Sequence, residues 1–190
     1  NDVRWLKDRD VHIWDEWEID EEGIWKATQN VLGKDGKLEQ REVVKDFGKK
    51  CAYTIGTAYG YIVNKFNLTD ELIDKIKNNP EDRRMVMSLW QNDYLDTAVL
   101  PSCVWSSEWD VTDGKLNAWG HQRSCDVPLG LPFNITQYAV LLNMLAKTCN
   151  LKPGTLDWSI KDAHIYINQI DGIKEQIRRM DELGDYKAPE

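Results

Sequence analysis

The chain has no apolar run approaching the length of a membrane-spanning helix, and no signal-peptide pattern is visible. It has no excess of positive charge. Lys and Arg number 24 against 32 Asp and Glu, a net charge of −8, which argues against a nucleic-acid binder relying on bulk electrostatics. A local cationic pocket for a single phosphate remains allowed. Histidine is scarce, with three in 190 residues, and none shows metal-ligand spacing. The four cysteines, Cys51, Cys103, Cys125 and Cys149, are widely spread with no CxxC. Metal and disulfide frameworks are therefore not expected, and reduced thiols in the cytoplasm fit better. An initiator methionine is also missing. Asn1-Asp2-Val3 enters a helical pattern directly, and Tyr186-Lys187-Ala188-Pro189-Glu190 looks like the approach to another strand. The chain reads as an interior piece of a longer protein.

What is present suits a sizeable core. The hydrophobic fraction is 42% and nine tryptophans supply large buried surfaces. At this length, residues 1–190 are expected to form a single domain.

The richest stretch runs from His121 to Asn134. It starts at the end of a strand pattern and stops where a long apolar helix begins. Between them lie an arginine, a serine, an aspartate, two prolines and glycine Gly130. Such a connection offers backbone N–H groups and polar side chains at a helix entrance, which suits an anion or a polar ring. Asn134 is expected at the N-cap. An ordinary strand-to-helix loop with a surface arginine is the competing reading.

The preceding hairpin gives the loop a partner. Asp113-Gly114 is a strong two-residue turn. Trp105, Ser107, Trp109 and Val111 share one face of the incoming strand, answered by Leu116, Ala118 and Gly120. Counting back from Thr112 opposite Lys115 places Cys103 opposite Ser124 and next to Arg123, unless a bulge intervenes. A thiol beside a guanidinium has its thiolate favoured, so loop, cation and nucleophile converge.

Elsewhere, Val3 to Asp8 reads as the end of an amphipathic helix. Residues 18–50 read as a variable insertion of small strands or short helices, with a turn at Lys34-Asp35-Gly36-Lys37. Thr69-Asp70-Glu71 caps a helix running to about Asn78. Arg83-Arg84 opens an apolar strand, Met85 to Trp90, on which the two alternate faces; solvated surface charge is the alternative. A strand over Val99 to Val111 carries Cys103. Ile135 to Cys149, apolar nearly all round, reads as a helix buried within the domain. Pro153-Gly154 ends the following connection. Thr155 to Gln169 alternates as a strand on which His164 and Tyr166 share a face, and Ile170 to Leu183 reads as a final helix.

Several of these segments resemble the thymidylate synthase family. QRSCDVPLGLPFN looks like its signature, and LPSCVW carries a cysteine where the family keeps its nucleophile. NNPEDRR resembles its double-arginine segment, DAHIYINQ its sugar-binding strand and HIWDEW its tryptophan-bearing segment. They occur in the family's order. The resemblance implies an α/β fold with a mixed, largely antiparallel sheet, helices on one face and a twin subunit on the other. It implies reductive methylation of dUMP, with 5,10-methylenetetrahydrofolate as co-substrate and neither metal nor nicotinamide. Cys103 would attack carbon 6 of the base. Asn134 would match uracil's adjacent carbonyl and N–H, and Tyr59 would supply an active-site hydroxyl, a core tyrosine being the other reading. Arg123, Ser124, Asp126, His164 and Tyr166 would bind the nucleotide, joined by Arg83 and Arg84 from the partner of a homodimer. Ile13, Trp14, Asp126, Leu129 and Gly130 would face the folate. The family's N-terminal arginine loop and proton-relaying glutamate, and its C-terminal tail, have no counterpart here, which implies impaired turnover for this chain alone. A pyrimidine hydroxymethylase on the same scaffold and a non-catalytic nucleotide-binding remnant stay open.

Overall fold

The structure is a computed structural model and describes residues 2–184. The chain divides into two compact units, Asn1–Leu72 with Met87–Ser102 and Ile73–Val86 with Cys103–Glu190. The expected approach to a further strand at 186–190 lies outside the described residues.

The first unit opens with helix α1, Val3–Lys7. Its N-cap Asp2 accepts the Arg4 N–H at 3.0 Å, satisfying one of the donors a helix start leaves open. Strands β1, Ile24–Leu32, and β2, Leu38–Asp46, form an antiparallel hairpin in register from Ile24 opposite Asp46 to Leu32 opposite Leu38. Residues 18–50 therefore resolve mainly into this hairpin. All but one residue of β2 is exposed, as its charged composition requires. Helix α2, Gly60–Lys65, follows. Two apolar clusters hold the unit. Val3, Ile55, Ala58 and Ala98 make one, with Trp14, Trp17 and Tyr59 packed against it. Ile19, Trp25 and Val99 make the other, and Trp17 stacks on Trp25 at 5.7 Å.

Helix α3, Leu68–Asn78, buries Leu72 and Ile76. The strand expected over Met85 to Trp90 shortens to β3, Val86–Ser88. Arg83 and Arg84 sit in the turn before it, so they do not alternate on a strand. Asp82 sets that turn by accepting the Arg84 N–H and Nε, both at 3.0 Å.

The second unit is built on a sheet in which strand β7, Lys152–Ile160, lies beside the second strand of a hairpin. Strand β4 is Val104–Thr112 and β5 is Lys115–Gln122. They pair antiparallel from Thr112 opposite Lys115. Asp113 and Gly114, at φ 51° and 72°, form the turn expected of that dipeptide. Cys103 precedes β4 rather than lying inside it.

After the two-residue strand β6, Cys125–Asp126, helix α4 spans Gly130–Thr148. It leads to β7, Lys152–Ile160, which pairs parallel with β5. Pro153-Gly154 belongs to β7 instead of ending the connection, and Asn117 packs where a Gly154 Cβ would lie. The strand expected to continue to Gln169 stops at Ile160. It resumes as β8, Ala163–His164, parallel to β6, and then turns into a short 3-10 helix, Ile167–Gln169. Helix α5, Ile170–Leu183, ends the described chain.

Leu142, Leu145 and Ala146 are the buried residues of α4, and Trp109, Leu116 and Ala118 are buried on the sheet. Helix α4 is not enclosed all round. Phe133 and Met144 are about 60% exposed, because only one side of the helix meets the sheet. No helix among the described residues is long and apolar enough to cross a membrane.

Candidate active site

A bulge at the start of β4 decides where Cys103 falls. Ser106 pairs with His121 but Val104 with Gln122, so Trp105 is the extra residue. Two consequences follow. Trp105 leaves the buried face and is 39% exposed, while Val104 takes that place at 3%. The register then moves by one, so Cys103 meets Arg123 rather than Ser124. The Arg123 N–H donates to the Cys103 carbonyl at 2.9 Å, and Arg123 Nη2 lies 3.9 Å from Cys103 Sγ. A thiol and a guanidinium thus adjoin, both half-buried, which suits a nucleophile beside an anion-binding group.

The loop beyond is stapled to the strand that carries His164. The Cys125 N–H donates to Asp162 O at 2.8 Å and the Val127 N–H to His164 O at 3.0 Å. Asp126 stands directly opposite His164. The Asp126 carboxylate accepts the Leu129 N–H at 3.2 Å and Gln169 Nε2 at 2.9 Å. The Gln169 Oε1 accepts the Tyr166 N–H at 2.9 Å. His164 and Tyr166 do keep company, their rings meeting edge-on at 5.0 Å, although the backbone there is not a continuous strand. Cys125 is buried, and burial, reinforced by the neighbouring Asp126 charge, pushes its thiol above the ordinary value.

Asn134 is not the N-cap of α4. The helix starts at Gly130, with Leu129 before it, because Pro132 in the first turn lacks only an N–H that would have no helical partner. Asn134 therefore projects from the second turn. Its Oδ1 accepts Gln122 Nε2 at 3.1 Å. A Cβ on Gly130 would stand 3.6 Å from Asp126 Cβ and 3.7 Å from Asn134 Oδ1, so the helix entrance lies against both polar groups.

Two residues of this network were not singled out from sequence. Gln122 is 3% exposed. It donates to Ser124 O at 2.9 Å and accepts the Trp158 indole N–H at 2.9 Å. Trp158 packs edge-on against Tyr138 at 5.1 Å. Burial pushes the Tyr138 hydroxyl up to about 12, partly opposed by its hydrogen bond with Ser107. The signal was available in the strand alternation. Gln122 continues the inward series Leu116, Ala118 and Gly120, and a buried glutamine requires partners.

The remaining candidates are placed separately. In the first unit, Trp14 and Tyr59 meet at 5.6 Å, and Ile13 is 57% exposed. In the second, Arg83 and Arg84 are exposed. Arg84 pairs with Asp82, whose carboxyl it holds below the usual range. His12 is exposed and bonded to Asp15 and Asp10, which raise its pKa. No disulfide joins the cysteines. Among the described residues no three His, Cys, Asp or Glu side chains group as a metal site.

Comparison with known proteins places the chain in a family. The family model described as Thymidylate synthase matches residues 1–186. The chain is 46% identical over 189 residues to thymidylate synthase of Clostridium beijerinckii, covering 100% of this chain and 59% of that protein. It is 35% identical over 198 residues to the Bacillus licheniformis enzyme, covering 100% and 58%. Among solved structures, thermostable thymidylate synthase A from Bacillus subtilis superposes with a TM-score of 0.75 at 34% identity, covering 100% of this chain and 59% of that one. The chain thus spans about three fifths of the length of the relatives it matches. With the family model matched from residue 1 to residue 186, the chain belongs to the thymidylate synthase family.

Proposed function

We propose that the protein containing this chain converts dUMP to dTMP with 5,10-methylenetetrahydrofolate as co-substrate. The observation that carries this reading is Cys103 Sγ at 3.9 Å from the Arg123 guanidinium, at the mouth of a loop whose backbone and side chains are tied down. Carbon 5 of uracil is a poor nucleophile. Addition of the Cys103 thiolate at carbon 6 turns the base into an enolate, and the carbon–sulfur bond breaks again when product leaves. The charge that builds on the base oxygen meets the Asn134 amide. Arg123 and Ser124 hold the phosphate, since a guanidinium fork matches its oxygens. His164 and Tyr166 address the sugar, and Tyr59 supplies a further hydroxyl.

The folate supplies the one-carbon unit and the hydride that completes the methyl group. Ile13, Trp14, Asp126, Leu129 and Gly130 hold it. The residues suit a flat, amino-bearing ring. Ile13 and Leu129 are exposed apolar side chains, and the Asp126 carboxylate already accepts two N–H donors. The active form is a homodimer in which Arg83 and Arg84 reach the partner's phosphate. The sheet face bearing Trp105, Trp119 and His121, where the partly exposed His121 ring stacks on Trp119 and lies tilted against Trp105, is the surface for the twin subunit. Unbridged cysteines fit a reducing cytoplasm.

Incubating the full-length protein with dUMP and methylenetetrahydrofolate tests the reading. Stoichiometric dTMP and dihydrofolate are expected. Hydroxymethyl-dUMP without dihydrofolate, or no turnover at all, would overturn it.

A further inference from the structure

Asn134 can present its amide to a base in either of two orientations, and they select opposite rings. Uracil offers an N–H and a carbonyl side by side at this edge, whereas cytosine offers a ring acceptor and an amino group. An amide that turns over exchanges its donor for its acceptor, and with it the preferred ring.

The structure removes that freedom through a chain of fixed polarity. An indole N–H can only donate, and Trp158 Nε1 donates to Gln122 Oε1 at 2.9 Å. A backbone carbonyl can only accept, and Ser124 O takes Gln122 Nε2 at 2.9 Å. Held at both ends, the Gln122 amide has one allowed orientation. It aims a second N–H of Nε2 at Asn134, 3.1 Å away, and the atom receiving it must be Oδ1. Turning Asn134 over would set two amide NH2 groups against each other in a site where Gln122 is 3% exposed, leaving buried donors without acceptors. Trp158 is itself constrained, resting on Gly120 with no room for a Cβ between them and touching Tyr138 edge-on.

We propose that Gln122 and Trp158 are positioning residues that lock the Asn134 amide in the orientation accepting uracil and rejecting cytosine. This rests on the nucleotide reading above, because it assigns Asn134 to the base. Specificity would then depend on a tryptophan on β7 that acts on the base only through two intervening amides.

The test is calorimetric titration of the full-length protein with dUMP and, separately, with dCMP. The unmodified protein should prefer dUMP. Gln122→Glu still accepts from Trp158 but offers Asn134 an acceptor, so its amide turns. The dUMP-to-dCMP affinity ratio should fall by about tenfold to a hundredfold. Trp158→Phe keeps an aromatic ring but removes one of the two anchors and orphans Gln122 Oε1, so the melting temperature should fall, and the ratio, read on the folded protein well below it, should fall several-fold. An unchanged ratio in both variants, or equal weakening of both nucleotides, would overturn the inference while leaving the proposed activity standing. Failure of the unmodified protein to bind either nucleotide would overturn both together.

Discussion

Gly120→Ala is the most exacting perturbation this structure offers. A Cβ built on Gly120 falls 2.2, 2.4 and 2.9 Å from three carbons of the Trp158 indole. Ordinary carbon–carbon contact is about 3.5 Å or more, so the ring would have to retreat by roughly 1.3 Å. It has little space for this, since Tyr138 lies 5.1 Å away edge-on. Overpacking of this kind costs about 1 to 3 kcal/mol. The moving ring also drags its N–H from Gln122 Oε1, and an orphaned buried acceptor adds about 1 to 3 kcal/mol. A loss of roughly 2 to 6 kcal/mol is expected on those two grounds, read as a lower urea midpoint in the full-length protein with m unchanged. Trp158→Leu supplies the control, because the smaller side chain opens the space that the methyl needs. In that background the added methyl should cost less than about 0.5 kcal/mol, giving a large coupling energy in the double-mutant cycle. A midpoint for Gly120→Ala matching the unmodified protein, or additive effects in the cycle, would refute the close-approach argument.

Other outcomes follow from the same geometry. Cys103→Ser should abolish dTMP formation in the full-length protein while dUMP binding by calorimetry persists; retained turnover would remove Cys103 from the chemistry. Arg123→Lys keeps the charge but loses the planar fork, and dUMP affinity should fall by about tenfold or more. Gly114→Ala places a side chain at φ 72° and should lower the unfolding free energy by about 1 to 2 kcal/mol without altering dUMP affinity. Tyr138 keeps its proton in the folded state up to about 12, whereas the unfolded chain releases it near the ordinary value of 10. Its contribution is therefore intact below pH 10 and lost as pH rises from 10 to about 12. Tyr138→Phe should flatten that part of the stability–pH curve, measured by urea unfolding at each pH. Alkylation by iodoacetamide at pH 8 should modify Cys103 before Cys125, whose raised pKa and burial both suppress its thiolate.

Short-range chemistry was legible in the sequence. The Asp113-Gly114 turn, the hairpin around it and the helix ending at Asn78 each depend on neighbours within a few residues, although that helix begins at Leu68, so Thr69 lies inside it and does not cap it. Backbone sterics and alternation act at that range. The association of Arg123 with Cys103 was also legible, because a hairpin turn sets which residues stand opposite one another. What the sequence could not settle was the offset. The bulge at Trp105 inserts one residue into β4 through packing against His121 and the buried Val104 position, and no local signal marks it. The same holds for α4. Pro132 and Asn134 looked like a helix boundary, yet the helix begins four residues before Asn134, because β6 pairs with β8 and pulls the loop into place. Strand β7 pairs parallel with β5, and this long-range contact alone brings Trp158 to Gln122 and so fixes the amide at Asn134. Turns and alternation are properties of a chain segment. Register across a bulge, and the polarity of a buried hydrogen-bond chain, exist only once distant segments have been brought together.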